Sequence, residues 1–196
     1  MSSGKRGLSL LELLVALGLA ALGLYLLAAV FLPTLRVSRR TSQRIDLQQS
    51  GSMALEKLVV DLGHTPVVGI THELTEPGGR LLFALHPVTG VSADARPTYA
   101  GQLIVYSWVP AERTLRRILW PPGGGLTPAR ARLLDATELA TAAEEGEARI
   151  LCRDLLEFEV SSETNPVSLK MVLGADPRAG EPEQRVEFGR DVLLRN

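Results

Sequence analysis

Between Leu13 and Leu32 the chain reads LLVALGLAALGLYLLAAVFL, twenty residues without a charge. As a helix rising about 1.5 Å per residue, such a run reaches roughly 30 Å, the thickness of a bilayer's hydrocarbon core. About a dozen of the twenty are Leu, Val or Phe. At roughly −0.3 to −0.6 kcal/mol each they supply about −4 to −7 kcal/mol of insertion free energy. Gly18, Ala20, Ala21, Gly23, Ala28 and Ala29 let neighbouring helices approach closely. A segment of this kind spans a membrane or packs against many copies of itself. A helix buried in a globular core would show a polar face at 3.6-residue spacing, and none exists here. A cleaved secretory signal would have a shorter apolar region, about 7–15 residues, and a small-residue cut site. This run is longer and exits through Phe31-Leu32-Pro33. A plain uncleaved signal anchor remains open on these grounds.

The rest of the 196 residues amounts to about one ordinary domain. With 21 basic and 22 acidic side chains the net charge is −1, so there is no basic field for phosphate backbones and nucleic acid is not indicated as a partner. Aromatics at 5% make base-stacking platforms a poor expectation. Cys152 is the only cysteine, so no intrachain disulfide forms and the fold holds by packing and hydrogen bonds. His64, His72 and His86 lack zinc-type spacing and read as surface residues. Gly123-Gly124-Gly125 is not followed by the Lys-Ser/Thr of a phosphate loop, and no G-x-S-x-G occurs. No acidic pair is marked for proton transfer, and Glu144, Glu145 and Glu147 read as a solvated face. The expectation is a structural protein: not an enzyme, with no catalytic residues, no cofactor and no metal.

The most specific signal lies upstream of the apolar run. Lys5-Arg6-Gly7 is followed by Leu8-Ser9-Leu10-Leu11-Glu12 and then by the uncharged segment. This order resembles the class III signal of type IV prepilins and pseudopilins: a short basic leader, a Gly, a hydrophobic residue, a small polar one, two apolar ones and a Glu. The resemblance implies cleavage between Gly7 and Leu8 by prepilin peptidase at the cytoplasmic face. It also implies N-methylation of the new Leu8 amine, with Glu12 as the fifth mature residue. The protein would be a structural subunit, a minor pilin or pseudopilin, of a type IV pilus or a type II secretion pseudopilus. It would start as a single-pass protein of the inner (cytoplasmic) membrane with its head outside the cytoplasm. Its implied partners are other pilins or pseudopilins, prepilin peptidase and the inner-membrane assembly platform. The reading from a different class is a signal-anchored periplasmic binding module or enzyme with no pilus role, which a polar pocket in the head would favour.

Each part of the motif also has its own physics. Gly7 lets a protease take the backbone in unusual conformations at low cost. Lys5 and Arg6 hold the leader at an anionic surface, worth about 1 kcal/mol each. Glu12 at the edge of a membrane helix needs a partner, and the Leu8 amine of its own or a neighbouring chain can be that partner. In low dielectric the pair would enforce axial register, because a mis-stepped subunit leaves a charge unpaired. Arg36, Arg39, Arg40 and Arg44 lie beyond the run, and the positive-inside rule would place that side in the cytoplasm. The leader offers only Lys5, Arg6 and the starting amine against them.

Past the run, Pro33 should kink or locally break the helix. Ser38 to Ser52 is polar on most faces and is expected in solvent or between subunits. Leu55, Leu58, Val59 and Leu62 recur at i, i+3, i+4, i+7, a stripe that can pack on a sheet, and Gly63 reads as the stop. Strands are expected at 80–85, 102–108 and 114–120, the last two a hairpin around Pro110–Arg113. A short helix fits 136–147. A strand at 156–160, entered through 149–153, and another at 168–173 follow. Then come a polar loop from Ala175 to Gln184 and two extended pieces, 185–188 and 192–196. The expected fold class is α+β: a long N-terminal (transmembrane) α-helix packed on an antiparallel β-sheet head, in the pilin-like manner. The expected segments are a leader at 1–7, an assembly helix at 8–35, its amphipathic continuation at 36–63 and a β-rich head at 64–196. The helix end LEKLVVDL, the VYSW…TLRRIL hairpin and the VLLRN terminus resemble the J-type pseudopilin and the W-type minor pilin.

Overall fold

The computed structural model describes residues 10–75, 79–127, 130–161, 165–175 and 183–194. It has an α+β layout and divides into two compact units, Met1–Gln43 and Arg44–Asn196. The boundary falls inside a helix, so residues 44–63 belong with the head.

Helix α1 runs without interruption from Leu10 to Gly63. Pro33 lies inside it and does not interrupt it. Its ring removes the N–H that would reach the carbonyl four residues back. The Thr34 hydroxyl donates to the neighbouring Val30 carbonyl at 2.8 Å. In the first unit α1 is long and apolar enough to cross a membrane, and none of the apolar window is buried within the protein.

In the second unit the last turns of α1 bury Leu47, Gly51, Ala54, Leu55, Leu58, Asp61 and Leu62. The expected stripe at 55–62 is there, but it begins two turns earlier than its strongest part suggested. Leu47 and Gly51 fall within the stretch expected to be solvated on most faces. Gly51 lets the Phe188 ring lie against the helix: a Cβ there would fall on the ring and force it to move. At the other end Thr65 closes α1: its amide donates to Leu62 O at 2.9 Å and its hydroxyl to Asp61 O at 2.8 Å.

The strands are β1 (Ile70–Thr75), β2 (Arg80–Leu85), β3 (Val88–Val91), β4 (Pro97–Tyr99), β5 (Leu103–Val109), β6 (Thr114–Trp120), β7 (Glu147–Cys152), β8 (Leu155–Ser161), β9 (Val167–Ala175) and β10 (Gln184–Val192). Helix α2 (Ala136–Glu145) follows β6 and opens with a capping box between Asp135 and Glu138. Among the described residues these form three antiparallel sheets: β1-β2-β5-β6-β7, β10-β9-β8 and the hairpin β3-β4.

The five-stranded sheet is covered on both faces. Leu81, Phe83, Leu85, Ile104, Tyr106 and Leu115 face a core shared with α1 and the three-stranded sheet. Leu82, Ala84, Leu103, Val105 and Ile118 face a second core with Leu139 and Ala142 of α2. Alternate side chains of β2 and β5 therefore serve different cores, and these strands read as continuous apolar runs.

Several expectations are corrected. The segments 149–153 and 156–160 are not one strand with its lead-in. They are β7 and β8, in different sheets, separated by a turn in which Asp154 takes φ of 60°. The extended piece expected at 185–188 is part of a longer strand, β10, paired with β9 from Gln184↔Ala175 to Val192↔Val167. Of the piece expected at 192–196 only Val192 is strand, Leu193 and Leu194 lie past its end, and 195–196 lie outside the described residues. Strands β1, β3 and β4 lacked a clear alternating signal. The loop expected after Ala175 lies, between 176 and 182, outside the described residues.

Candidate functional site

The first candidate is the N-terminal segment. Lys5, Arg6, Gly7 and Leu8, the residues of the expected cut and methylation, lie outside the described residues. Glu12 stands in the first turn of α1 and is exposed. Leu11, Glu12, Val15, Ala16 and Leu19 line a shallow groove along one side of the helix. Ala16 leaves a depression between larger neighbours, where a second helix can approach closely. From Leu10 to Leu32 the large apolar side chains are exposed; Leu24 and Tyr25, for example, are 69% and 70% accessible. An apolar medium or further helices would cover this surface.

The second candidate is a buried polar cluster that sequence reasoning missed. Asp61, 5% exposed, sits on the apolar stripe of α1. Its Oδ2 accepts from the Tyr106 hydroxyl at 2.6 Å and from Arg117 Nε at 2.7 Å, while Lys57 Nζ lies 3.1 Å from Oδ1. Tyr106 and Arg117 are register partners across β5 and β6, so the sheet presents both donors to one carboxylate. Phe83, one strand over, stacks on Tyr106 with centroids 4.8 Å apart. Burial alone would raise the Asp61 pKa. The bonds from Arg117, Tyr106 and Lys57, with the Arg117 charge, outweigh it and hold the carboxyl below its ordinary range. Burial and the adjoining carboxylate push the Tyr106 hydroxyl well above the usual phenol value. Burial opposes the Arg117 charge, yet Asp61 raises its pKa further. The cluster is thus a fixed ion pair with a neutral phenol bridging α1 to the sheet, and its groups are held in single protonation states. Its chemistry is anchoring rather than proton transfer.

Part of the signal is in the sequence: Asp61 breaks an apolar stripe at i+3 from Leu58, and the hairpin loop at 110–113 sets Tyr106 opposite Arg117. That α1 lays Asp61 over this pair is visible only in the fold.

His86 corrects a second expectation, since it is fully buried rather than on the surface. Its Nδ1 accepts from the Arg132 amide at 2.8 Å, so Nε2 carries the proton and donates to Ala100 O at 3.0 Å. Tyr99 packs on its ring at 4.9 Å. Burial lowers its pKa, the bond to Ala100 O opposes this, and the Arg132 charge adds to the lowering. The neutral ring pins the segment before α2 to the β2–β3 connection. The expected surface character holds for His64, while the side chain of His72 lies outside the described residues. An apolar cleft lined by Pro66, Val68, Val88, Val91, Ala95, Pro97 and Tyr99 flanks the small hairpin.

Glu144 and Glu145 are exposed at the end of α2 and Glu147 opens β7, as a solvated face requires. Comparison of the chain with family models, with curated proteins and with solved structures gives no match.

Proposed function

We propose that this chain is a type IV pilin-like subunit, a minor pilin or pseudopilin. It is made as a precursor, cut between Gly7 and Leu8, and built through α1 into a pilus or a secretion pseudopilus. The observation that carries the reading is the in-register order Lys5-Arg6-Gly7, Leu8-Ser9-Leu10-Leu11-Glu12 ahead of twenty uncharged residues. Two features support it. The apolar run is exposed throughout, as a helix that meets lipid and then other helices must be. The same helix continues without a break into a head with antiparallel sheets. In this reading Glu12 is the assembly charge. Its carboxylate meets the Leu8 amine of its own or an adjacent subunit, and the pairing sets the axial step. Prepilin peptidase and the inner-membrane assembly platform act on the chain, other pilins or pseudopilins surround it, and the head works outside the cytoplasm without catalysis.

N-terminal sequencing with intact mass determination tests the proposal. The expected mature chain begins at Leu8 and carries one additional methyl group. A chain that begins at Met1, or one cut near Ala29, ends this reading. Gly7→Val should leave the precursor uncut.

A further inference from the structure

We infer that Arg36 and Arg39 form a binding surface for anionic phospholipid headgroups, on the leaflet from which the apolar run emerges at Leu32. The inference rests on the membrane-spanning reading of α1 proposed above and adds a ligand class to it. Both arginines lie on one continuous helix and are exposed. At a spacing of i and i+3 they are neighbours on one helix face.

Their depth fits the headgroup layer. Along the helix Arg36 lies about 6 Å beyond Leu32 and Arg39 about 10 Å beyond it. The polar layer of each leaflet is about 5–8 Å thick, and arginine stems snorkel over several ångströms to place the head where it is best solvated. The charge environment is one-sided. No Asp or Glu occurs between Glu12 and Asp46, so the first turns past the run carry positive charge only. Two nearby hydroxyls are already engaged: Thr34 and Thr41 donate to the helix carbonyls of Val30 and Val37, at 2.8 and 3.0 Å. The exposed guanidinium forks have a planar geometry that matches a phosphodiester. Arg40, half-buried, has interactions of its own, and nothing here depends on it.

The placement also answers the charge conflict seen in the sequence. Basic residues on this side oppose the orientation that the N-terminal motif implies. In that orientation a charge cluster needs a counter-charge where it sits, and the headgroups of an anionic lipid provide it.

The test uses the full chain reconstituted in phosphatidylcholine bilayers, with spin-labelled phosphatidylglycerol or spin-labelled phosphatidylcholine as the probe. The motionally restricted fraction reports the lipid held at the protein surface. The wild-type chain should prefer phosphatidylglycerol, by up to about five-fold for each arginine at low salt. Arg36→Gln/Arg39→Gln should abolish the preference, and Arg36→Lys/Arg39→Lys should keep most of it. Arg149→Gln, on the exposed part of β7, should leave it unchanged. Equal association of the two lipids with the wild-type chain overturns the inference and leaves the arginines to an acidic protein partner. A preference that survives in the glutamine pair overturns it as well. If neither lipid shows a restricted component, the chain does not span the bilayer, and the membrane reading falls together with this one.

Discussion

The two halves of α1 share one backbone geometry and have little else in common. Up to Arg39 every described residue is exposed, including a succession of leucines. From Leu47 onward a residue is buried every three or four positions, ending at Leu62. The second half owes its helix to tertiary packing, as most protein helices do. The first half buries none of its apolar side chains up to Arg39. Substitutions in the two halves should therefore be felt in different assays.

Ranked by effect on the head, Leu58→Asp comes first. Leu58 is fully buried between α1 and the sheets. Its loss removes about 1.5–3 kcal/mol of burial, and an unpaired carboxylate adds several kcal/mol more. A fragment beginning at residue 36 should show mixed α/β circular dichroism as wild type and lose it in the variant. Membrane fractionation of the full chain should be unchanged. A folded Leu58→Asp head would erase the proposed division of labour within α1.

Arg117→Ala follows. It leaves Asp61 buried with Tyr106 and Lys57 alone, at a cost of about 3–5 kcal/mol in urea unfolding. Asp61→Asn should cost less, because the amide oxygen can still accept from Tyr106 and Arg117, and the cations that lose their counter-charge, Lys57 and Arg117, are both nearer solvent than the carboxylate. If the two variants are equally mild, the cluster is not an anchor.

Acid should act more gently and in two stages. The folded pKa of His86 is lowered from an ordinary value of 6.5. The unfolded chain thus takes up the proton first, and stability falls as pH drops below 6.5. Protonation also places a second N–H against the Arg132 amide. For Asp61, lowered from 3.8, stability is present above 3.8 and is lost as pH falls below it. Thermal melts from pH 8 to pH 3 should show both stages, and His86→Gln should remove the first alone. A wild-type melting temperature that is flat between pH 7 and pH 5 contradicts the buried neutral ring.

Glu12→Leu should do nothing to the head and little to insertion, since it only lengthens the apolar run. In the proposed reading it removes the partner of the Leu8 amine, worth about 3–5 kcal/mol where the pair is dehydrated. The variant should be cut and membrane-resident yet fail to cross-link to other subunits. Cross-linking at the wild-type level would remove the charge-pair role.

Periodicity carried much of the fold. The uncharged run stood out by its length, the stripe ending at Gly63 by its period, the β5–β6 hairpin by two apolar runs about a turn, and α2 by its Ala and Glu. The shortest strands did not. Strands β3 and β4 are four and three residues long, too short for alternation to separate from a loop. The β7–β8 division was hidden because Arg153-Asp154 carries neither Gly nor Pro, and a left-handed Asp makes the turn instead. Gly189 inside β10 made the strand look shorter than it is. Of the candidate sites, the N-terminal motif is wholly sequential and legible. The Asp61 cluster joins residues 45 and 56 positions apart, and His86 depends on an amide 46 positions away. Such pairings need a register before they can be seen.

Cys152 at the end of β7 has a practical consequence. It is buried, and burial pushes its thiol up to about 12. Since the thiolate is the reactive form, this sulfur is nearly silent towards maleimides and oxidants while the head is folded. The natural chain can then serve as its own cysteine-free background. A cysteine placed singly along α1 would report its neighbours by disulfide capture without any prior removal of the native thiol. A sudden gain of labelling at Cys152 would announce, residue-specifically, that the head had opened.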